Sequence, residues 1–208
     1  MISFAVTTHN EGEYIQKLFD QLIPFCEKTG DEIVVLDDNS TDTYTQNLLF
    51  RYADTDQIQL HYRQFEGDFA EHKNYLNSLC RGEYICQIDA DETLNENLLN
   101  YLHDLTGHNP TVDLFWLPRV NVVNGLTDDD VRKWGWSLND KGWVMFPDYQ
   151  GRLYRNSTDI KWERKVHERI VGHKLEAHLP AEEEWSIVHV KDIHRQREQN
   201  KLYDTITK

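Results

Sequence analysis

The sequence predicts an α/β fold, a single domain spanning residues 1–208 on a mostly parallel central sheet flanked by helices, with a smaller mixed or antiparallel part toward the C-terminus. Two observations carry this. Short apolar runs of strand size alternate with stretches of about 10–15 residues patterned as helices, the signature of strand–helix–strand crossovers. The whole is contained in 208 residues, 39% of them hydrophobic, a length that builds one substantial core and crowds two.

In order, Ile2–Val6 reads as a buried strand. Glu11–Pro24 sets Tyr14, Ile15, Leu18, Phe19, Leu22 and Ile23 on one helical face. Glu32–Leu36 (EIVVL) is a strand apolar on both faces. The run Asn39-Ser40-Thr41-Asp42 supplies capping residues for a helix with Tyr44, Leu48 and Tyr52 inward. Gln57–Tyr62 alternates like a strand near a sheet edge, Phe69–Leu79 reads as a helix, Glu83–Ile88 as a strand, and Leu94–Leu105 as a leucine-faced helix. Beyond residue 105 the pattern loosens. Val112–Val123 reads as one longer strand containing Pro118, and Asn124–Pro147 as a loop rich in Asp, Gly and Trp. Gly151–Arg155, Ile160–Trp162 and Trp185–Val190 read as shorter strands, and Asp192–Lys208 as a polar helical tail.

The net charge of −14 disfavours general binding to a phosphate backbone. An acidic protein that takes a phosphorylated ligand needs a means of cancelling the repulsion, and a divalent cation held by carboxylates is one. Cys26, Cys80 and Cys86 are odd in number, fall within expected helices and strands and form no C-x-x-C pair. They read as buried free thiols of a reducing compartment. With no signal-peptide pattern and no apolar run of membrane-spanning length, a cytoplasmic location is expected.

In an open parallel sheet, ligands sit beyond the carboxyl ends of the strands. Three expected strands end in polar clusters: Thr7-Thr8-His9-Asn10-Glu11, Asp37-Asp38-Asn39-Ser40, and Asp89-Ala90-Asp91-Glu92. If the strands are parallel, all three share one rim. Two carboxylates at i and i+2 just past a buried strand repel each other unless a cation or donor intervenes. A hard divalent ion completed by phosphate oxygens fits that need.

With these motifs on the page, the chain resembles the family 2 glycosyltransferases of the Rossmann-like GT-A fold. The resemblance rests on FAVTTHNEGEYIQKLF, EIVVLDDNSTD, GDFAEHKNYLNS and GEYICQIDADE, in order over roughly residues 2–100. A looser likeness to one branch of the family continues in PDYQGRLYRN, WERKVHERIVG and IVHVKD. The resemblance makes residues 1–105 the nucleotide-sugar half and residues 106–208 the acceptor side.

It also implies roles. Thr7, Asn10, Glu11, Asp37 and Asp38 would hold the nucleoside, commonly uridine. Lys73 stands where the family often has arginine. Asp89-Ala90-Asp91 would lie against the nucleotide, with Asp89 and Asp91 holding Mn²⁺ or Mg²⁺ on the diphosphate and His189 completing the metal shell. The implied reaction moves a sugar from a nucleoside-diphosphate sugar, UDP-sugar above all, to a hydroxyl of a carbohydrate or glycoconjugate, with inversion. That reaction needs a general base, and no Glu-Asp motif opens a helix to supply it. Glu168 of V-H-E is favoured, with His167 orienting it or contacting phosphate, and Asp148 as the alternative. The Asp128–Asp130 run reads as a solvated acidic loop. Arg152 is expected on the sugar-diphosphate side, and Trp134, Trp136 and Trp143 are candidates for an acceptor subsite or a local hydrophobic cluster.

Other functions remain open at this stage. A sugar-phosphate nucleotidyltransferase would want a glycine-rich, basic loop after the first strand, where this chain has THNEGEY. A non-catalytic sugar- or metal-binding module would need no base, and a modified DNA base as acceptor sits poorly with the acidic charge.

Overall fold

The computed structural model describes residues 1–206, and side chains through residue 201. The first half follows the alternation: β1 (Ile2–Thr8), α1 (Gly12–Thr29), β2 (Glu32–Asp37), α2 (Thr43–Asp54), β3 (Gln59–Tyr62), α3 (Phe69–Leu79) and β4 (Tyr84–Asp89). Helix α1 runs past Pro24, where the sequence suggested an end. It closes at Gly30, whose left-handed backbone (φ 77°) lets its N–H reach the Cys26 carbonyl. Asp42 caps α2 through the N–H groups of Tyr44 and Thr45. The inner face of α2 is Thr45, Leu48 and Leu49, so Tyr44 is exposed.

The next segment departs further from expectation. Leu94 belongs to a short strand, β5 (Glu92–Leu94), and α4 (Glu96–His108) starts after its cap Asn95. The long strand expected over 112–123 is two, β6 (Leu114–Leu117) and β7 (Arg119–Asn124). Pro118 between them has no N–H to offer a ladder, and the chain changes sheets there. The expected loop contains α5 (Asp128–Trp134). Thr127 and Asp130 form a reciprocal capping box, so the three aspartates are the first turn of a helix. Then come β8 (Gln150–Arg155), β9 (Lys161–Glu163), β10 (Arg169–Val171), β11 (Glu176–His178), β12 (Ile187–Asp192) and α6 (Ile193–Ile206). Positions 207 and 208 of the expected helical tail lie outside the described residues.

Among the described residues seven strands form the main sheet, in the order β11-β6-β8-β4-β1-β2-β3. β1 is parallel to β2 and β4, and β2 to β3. β8 lies antiparallel between β4 and β6. A small second sheet, β5-β12-β7, and the hairpin β9–β10 complete the C-terminal part. Alternation along β1 feeds both faces: Phe4 and Val6 join α1 and α4 residues such as Leu18, Phe19, Leu98 and Leu102, while Ala5 joins Leu76, Ile85, Tyr154 and Trp162. Cys26, Cys80 and Cys86 are buried and free. No helix among the described residues is long and apolar enough to cross a membrane.

Candidate functional site

Strand register brings the expected rim together. Thr7 of β1 lies beside Asp89 of β4, and Thr8 beside Asp37 of β2. The polar residues at this edge divide into those that shape it and those that carry its charge.

Asn10 and Asp37 shape it. The buried Asp37 carboxylate accepts from the Ser40 hydroxyl at 2.5 Å and the Ser40 N–H at 3.1 Å. The Asn10 N–H donates to that hydroxyl at 2.9 Å, and Asn10 Oδ1 accepts from the Thr41 and Asp42 N–H groups at 2.7 and 2.9 Å. Asn10 thereby ties the end of β1 to the turn after β2, and Asp37 braces that turn through Ser40. Ala90 packs its methyl into the core and has only backbone to offer. Asp38 keeps part of its carboxylate at the surface while accepting from the Phe65 N–H at 2.6 Å. Thr7 is half-buried.

The charge is concentrated around Asp89, Asp91, Glu92 and Glu11. Arg152, 3% exposed, donates from Nη2 to Asp89 at 2.6 Å and to Glu92 at 3.0 Å. Its Nε and Nη1 have no hydrogen-bond partner among the described residues. Arg152 therefore underpins the acids from within the protein and is not an exposed acceptor contact. Lys73 of α3 lies 2.5 Å from Glu168 Oε1, 3.9 Å from Asp89 Oδ1 and 4.7 Å above the Trp162 ring. The fold thus brings Glu168 to Asp89 through a shared lysine. His167 stands exposed just before it, in left-handed backbone (φ 51°). Burial would raise the Asp89 carboxyl, but Arg152, Lys73 and Arg119 outweigh it and hold it well below the usual range.

Asp91 faces a different group. His189 Nε2 lies 3.2 Å from Asp91 Oδ2, and His189 Nδ1 lies 3.0 Å from Asn121 Oδ1. Arg195 of α6 pairs with Glu11, approaches Asp91 Oδ2 to 3.3 Å and covers the Tyr14 ring at 4.7 Å. Burial would raise Asp91, yet the hydrogen bond and charge of His189 bring it down. Glu11 stays raised: burial dominates and Asp91 and Asp89 add repulsion, against the pull of Arg195. Among the described residues no three His, Cys, Asp or Glu side chains converge tightly enough to hold a metal ion. The physical reason is that Asp89 turns to Arg152 while Asp91 turns to His189 and Arg195.

Asp148 is engaged at both carboxylate oxygens. Oδ2 accepts from Arg119 Nε and Nη2 and from Asn121 Nδ2, and Oδ1 from Gln150. It braces Arg119, Asn121 and Gln150, with its side chain 25% exposed. Trp134 and Trp136 pack on each other with tilted rings, centroids 4.7 Å apart, against Val123, Val144 and Ile193. They belong to a small hydrophobic cluster and are half-buried. Trp143, with Phe146 and Lys141, lines an open cavity of about 620 Å³ beside Glu182–Glu184.

With this geometry in view, the model of the family described as Glycosyl transferase family 2 matches residues 3–173. The chain belongs to glycosyl transferase family 2. It is 26% identical over 103 residues to the glycosyltransferase GlyG of Streptococcus pneumoniae, a match covering 50% of this chain and 34% of that protein. It is 32% identical over 110 residues to the uncharacterized glycosyltransferase MG060 homolog of Mycoplasma pneumoniae, covering 50% and 36%. These matches span about a third of the length of the curated relatives. The fold is similar to that of S. aureus TarS 1-349 in complex with UDP-GlcNAc, with a TM-score of 0.62 and 20% identity, over 91% of this chain and 58% of that one. This family 2 chain puts its acids at the carboxyl edge of the sheet.

Sequence reasoning missed Glu92, Arg119, Asn121 and Arg195. Glu92 was in plain sight as the fourth residue of D-A-D-E, and it is the acid on which Arg119 and Arg152 converge. Arg119 follows Pro118, the point where the chain changes sheets, and that switch was the one available signal for it. Asn121 and Arg195 carry no motif.

Proposed function

We propose that residues 1–208 act as one catalytic unit, transferring a sugar with inversion from a nucleoside-diphosphate sugar, with UDP-sugar the leading donor, to a hydroxyl of a carbohydrate or glycoconjugate. The observation that carries this reading is the meeting of Asp89, Asp91, Lys73, Arg152, Glu168 and His189 at one sheet edge. UDP-GlcNAc bound to the structurally similar TarS supports the donor class. The cytoplasm suits three buried unpaired thiols.

The donors are of the chemical type a divalent cation takes, although in this structure no three of them converge among the described residues. An imidazole nitrogen faces a carboxylate at 3.2 Å, and Glu11 joins the same cluster through Arg195. Asp91 and His189, with Asp89 beside them, would hold Mn²⁺ or Mg²⁺, which when bound supplies charge neutralisation for the diphosphate. The chain's own residues do the rest. Arg152 fixes Asp89 and Glu92 in place. Lys73 adds positive charge at the leaving diphosphate. Drawing Lys73 toward phosphate frees Glu168 Oε1, which then accepts the acceptor hydroxyl's proton. Trp143 offers an aromatic wall at the acceptor side.

The test is release of nucleoside diphosphate from UDP-GlcNAc with Mn²⁺ and with a chelator, in the wild type and in Glu168→Gln. Release is expected with metal and abolished by chelator, and Glu168→Gln is expected to lower kcat by about 10²-fold or more with little change in KM for the donor. Near-wild-type turnover in Glu168→Gln removes Glu168 as the base. A thermal-shift panel of UDP, GDP and TDP with Mn²⁺ names the nucleoside, since a specific ligand raises Tm by mass action.

A further inference from the structure

The hairpin β9–β10 is net positive in a chain whose net charge is −14. Residues 161–171 carry Lys161, Arg164, Lys165 and Arg169 against Glu163 and Glu168. Both acids are engaged within the fold. Glu163 lies 3.8 Å from Lys161 and 3.9 Å from Arg169, and Glu168 lies 2.5 Å from Lys73. Arg164 and Lys165 are exposed, and neither side chain has an ion pair or hydrogen bond among the described residues.

The loop that presents these two cations is held in place by α3. At its base the buried Trp162 donates its N–H to Asn74 Oδ1 at 2.8 Å, and Asn74 Nδ2 donates back to the Trp162 carbonyl at 2.9 Å. At its tip the Phe69 N–H donates to the Lys165 carbonyl at 3.0 Å. Arg164 and His167 hold left-handed backbone, with φ of 80° and 51°. Residues with a side chain adopt that conformation at a cost and keep it where the surroundings enforce it. Phe69 stands four residues before Lys73 on α3, about 6 Å along the axis, so the loop tip lies near the Lys73–Glu168 pair. Glu168 follows Lys165 by three positions, a reach of about 10 Å at most. That distance is comparable to the screening length at physiological salt.

We infer that Arg164 and Lys165 form an anion-binding rim on the acceptor side, and that the acceptor is a negatively charged glycan or glycoconjugate. Its phosphate or carboxylate groups lie on this loop while the hydroxyl to be glycosylated reaches Glu168. An acidic protein repels such an acceptor at long range, and unpaired cations beside the reacting group supply the local attraction. The donor's diphosphate has its own cation in Lys73, 3.9 Å from Asp89.

The inference rests on the reading of Glu168 as the base of a transferase. The experiment measures affinity by fluorescence polarisation, at low and at high salt, for end-labelled mannan, phosphomannan and polygalacturonate of matched length. A single-stranded DNA of similar charge is the comparison. The proteins are the wild type, Arg164→Gln with Lys165→Gln, and a control that removes two exposed cations from the last turns of α1 and α2, Lys28→Gln with Arg51→Gln. The wild type is expected to bind a charged glycan about 5–30-fold more tightly than mannan, and to lose most of that preference at high salt. Preference for phosphomannan names phosphate as the recognised group, and preference for polygalacturonate names carboxylate. Arg164→Gln with Lys165→Gln is expected to abolish the preference with an unchanged melting temperature, and the control to retain it. Equal affinity of the wild type for charged and neutral glycans, an equal loss in both double variants, or DNA bound as tightly as the charged glycans overturns the inference. Release of UDP from UDP-GlcNAc with Mn²⁺ by the wild type, measured in parallel, leaves the transferase reading standing in each of those cases. Absence of that release overturns both.

Discussion

The two ends of the parallel strands treat their acids in opposite ways. At the amino end, Glu32 accepts from Ser3 Oγ, Gln59 Nε2, and the Arg81 backbone and side chain, at 2.6–2.9 Å. Its neighbour Asp31 takes the Ile2 N–H, Thr29 and His103. Gly82 presses so close that a Cβ there would stand 2.6 Å from the Ser3 nitrogen. Every partner comes from the first half of the chain. At the carboxyl end, the acids of the first half are answered chiefly by Arg119, Arg152, His189 and Arg195 of the second half. One edge closes on itself and stabilises the fold. The other is assembled at long range, and Glu11 stays raised in spite of its arginine.

The sharpest way to break this contrast is Asp91→Asn. On the functional edge it is expected to lower turnover on the order of 10²–10³-fold, measured as nucleoside-diphosphate release. Melting temperature is expected to fall only modestly, because the lost pairing with His189 and Arg195 is partly offset by relief of repulsion with Asp89. A variant that keeps turnover but loses stability would make the carboxyl edge structural, like the amino one.

The same contrast explains what could be read from the sequence. The first half was legible because its helices and strands are regular and its partners local: EIVVL and EYICQI are buried strands as their composition demands. Asp89 and Asp91 were legible because acids past a buried strand need a reason. The second half was not. β10 and β11 have three residues each, too few for any period to show. The split at Pro118 looks like one apolar run until the second sheet is known. Asp148 and Glu168 are both acids in the second half, and only their partners, Arg119 for one and Lys73 for the other, tell a holding group from a candidate base.

Glu32→Gln tests the amino edge, where stability and not turnover should respond. Burial pushes the Glu32 carboxyl up, but the bonds from Ser3, Arg81 and Gln59 more than offset it, so it titrates below its ordinary value of 4.5. The folded state therefore holds the proton less tightly than the unfolded chain. The stabilisation is complete above the unfolded value and is lost as pH falls through the folded one. An amide in place of the carboxylate sets an NH₂ against donors, and the expected cost at neutral pH is about 1–3 kcal/mol. Chemical denaturation checks this, and the gap between variant and wild type should narrow as pH drops below 4.5. A constant gap down to acid pH would mean that packing, and not the charged network, holds this edge.

The smallest expected effect is the most discriminating. Arg195 is the one cation of the carboxyl edge that comes from α6, and it is 31% exposed at its side chain. It reaches Asp91 Oδ2, the oxygen that His189 also addresses. A guanidinium and a divalent ion cannot both neutralise that oxygen at full strength, so the two compete for it. An ion pair of this exposure is worth up to about 1 kcal/mol. Arg195→Ala is therefore expected to tighten Mn²⁺ binding about two- to five-fold in the presence of UDP, measured from the electron paramagnetic resonance signal of free Mn²⁺. If removal instead weakens UDP binding and leaves Mn²⁺ unchanged, Arg195 is a diphosphate ligand that rests on Glu11 and Asp91 between turnovers. In that case the second half of the chain supplies positive charge to the substrate, as well as to the acids of the first half.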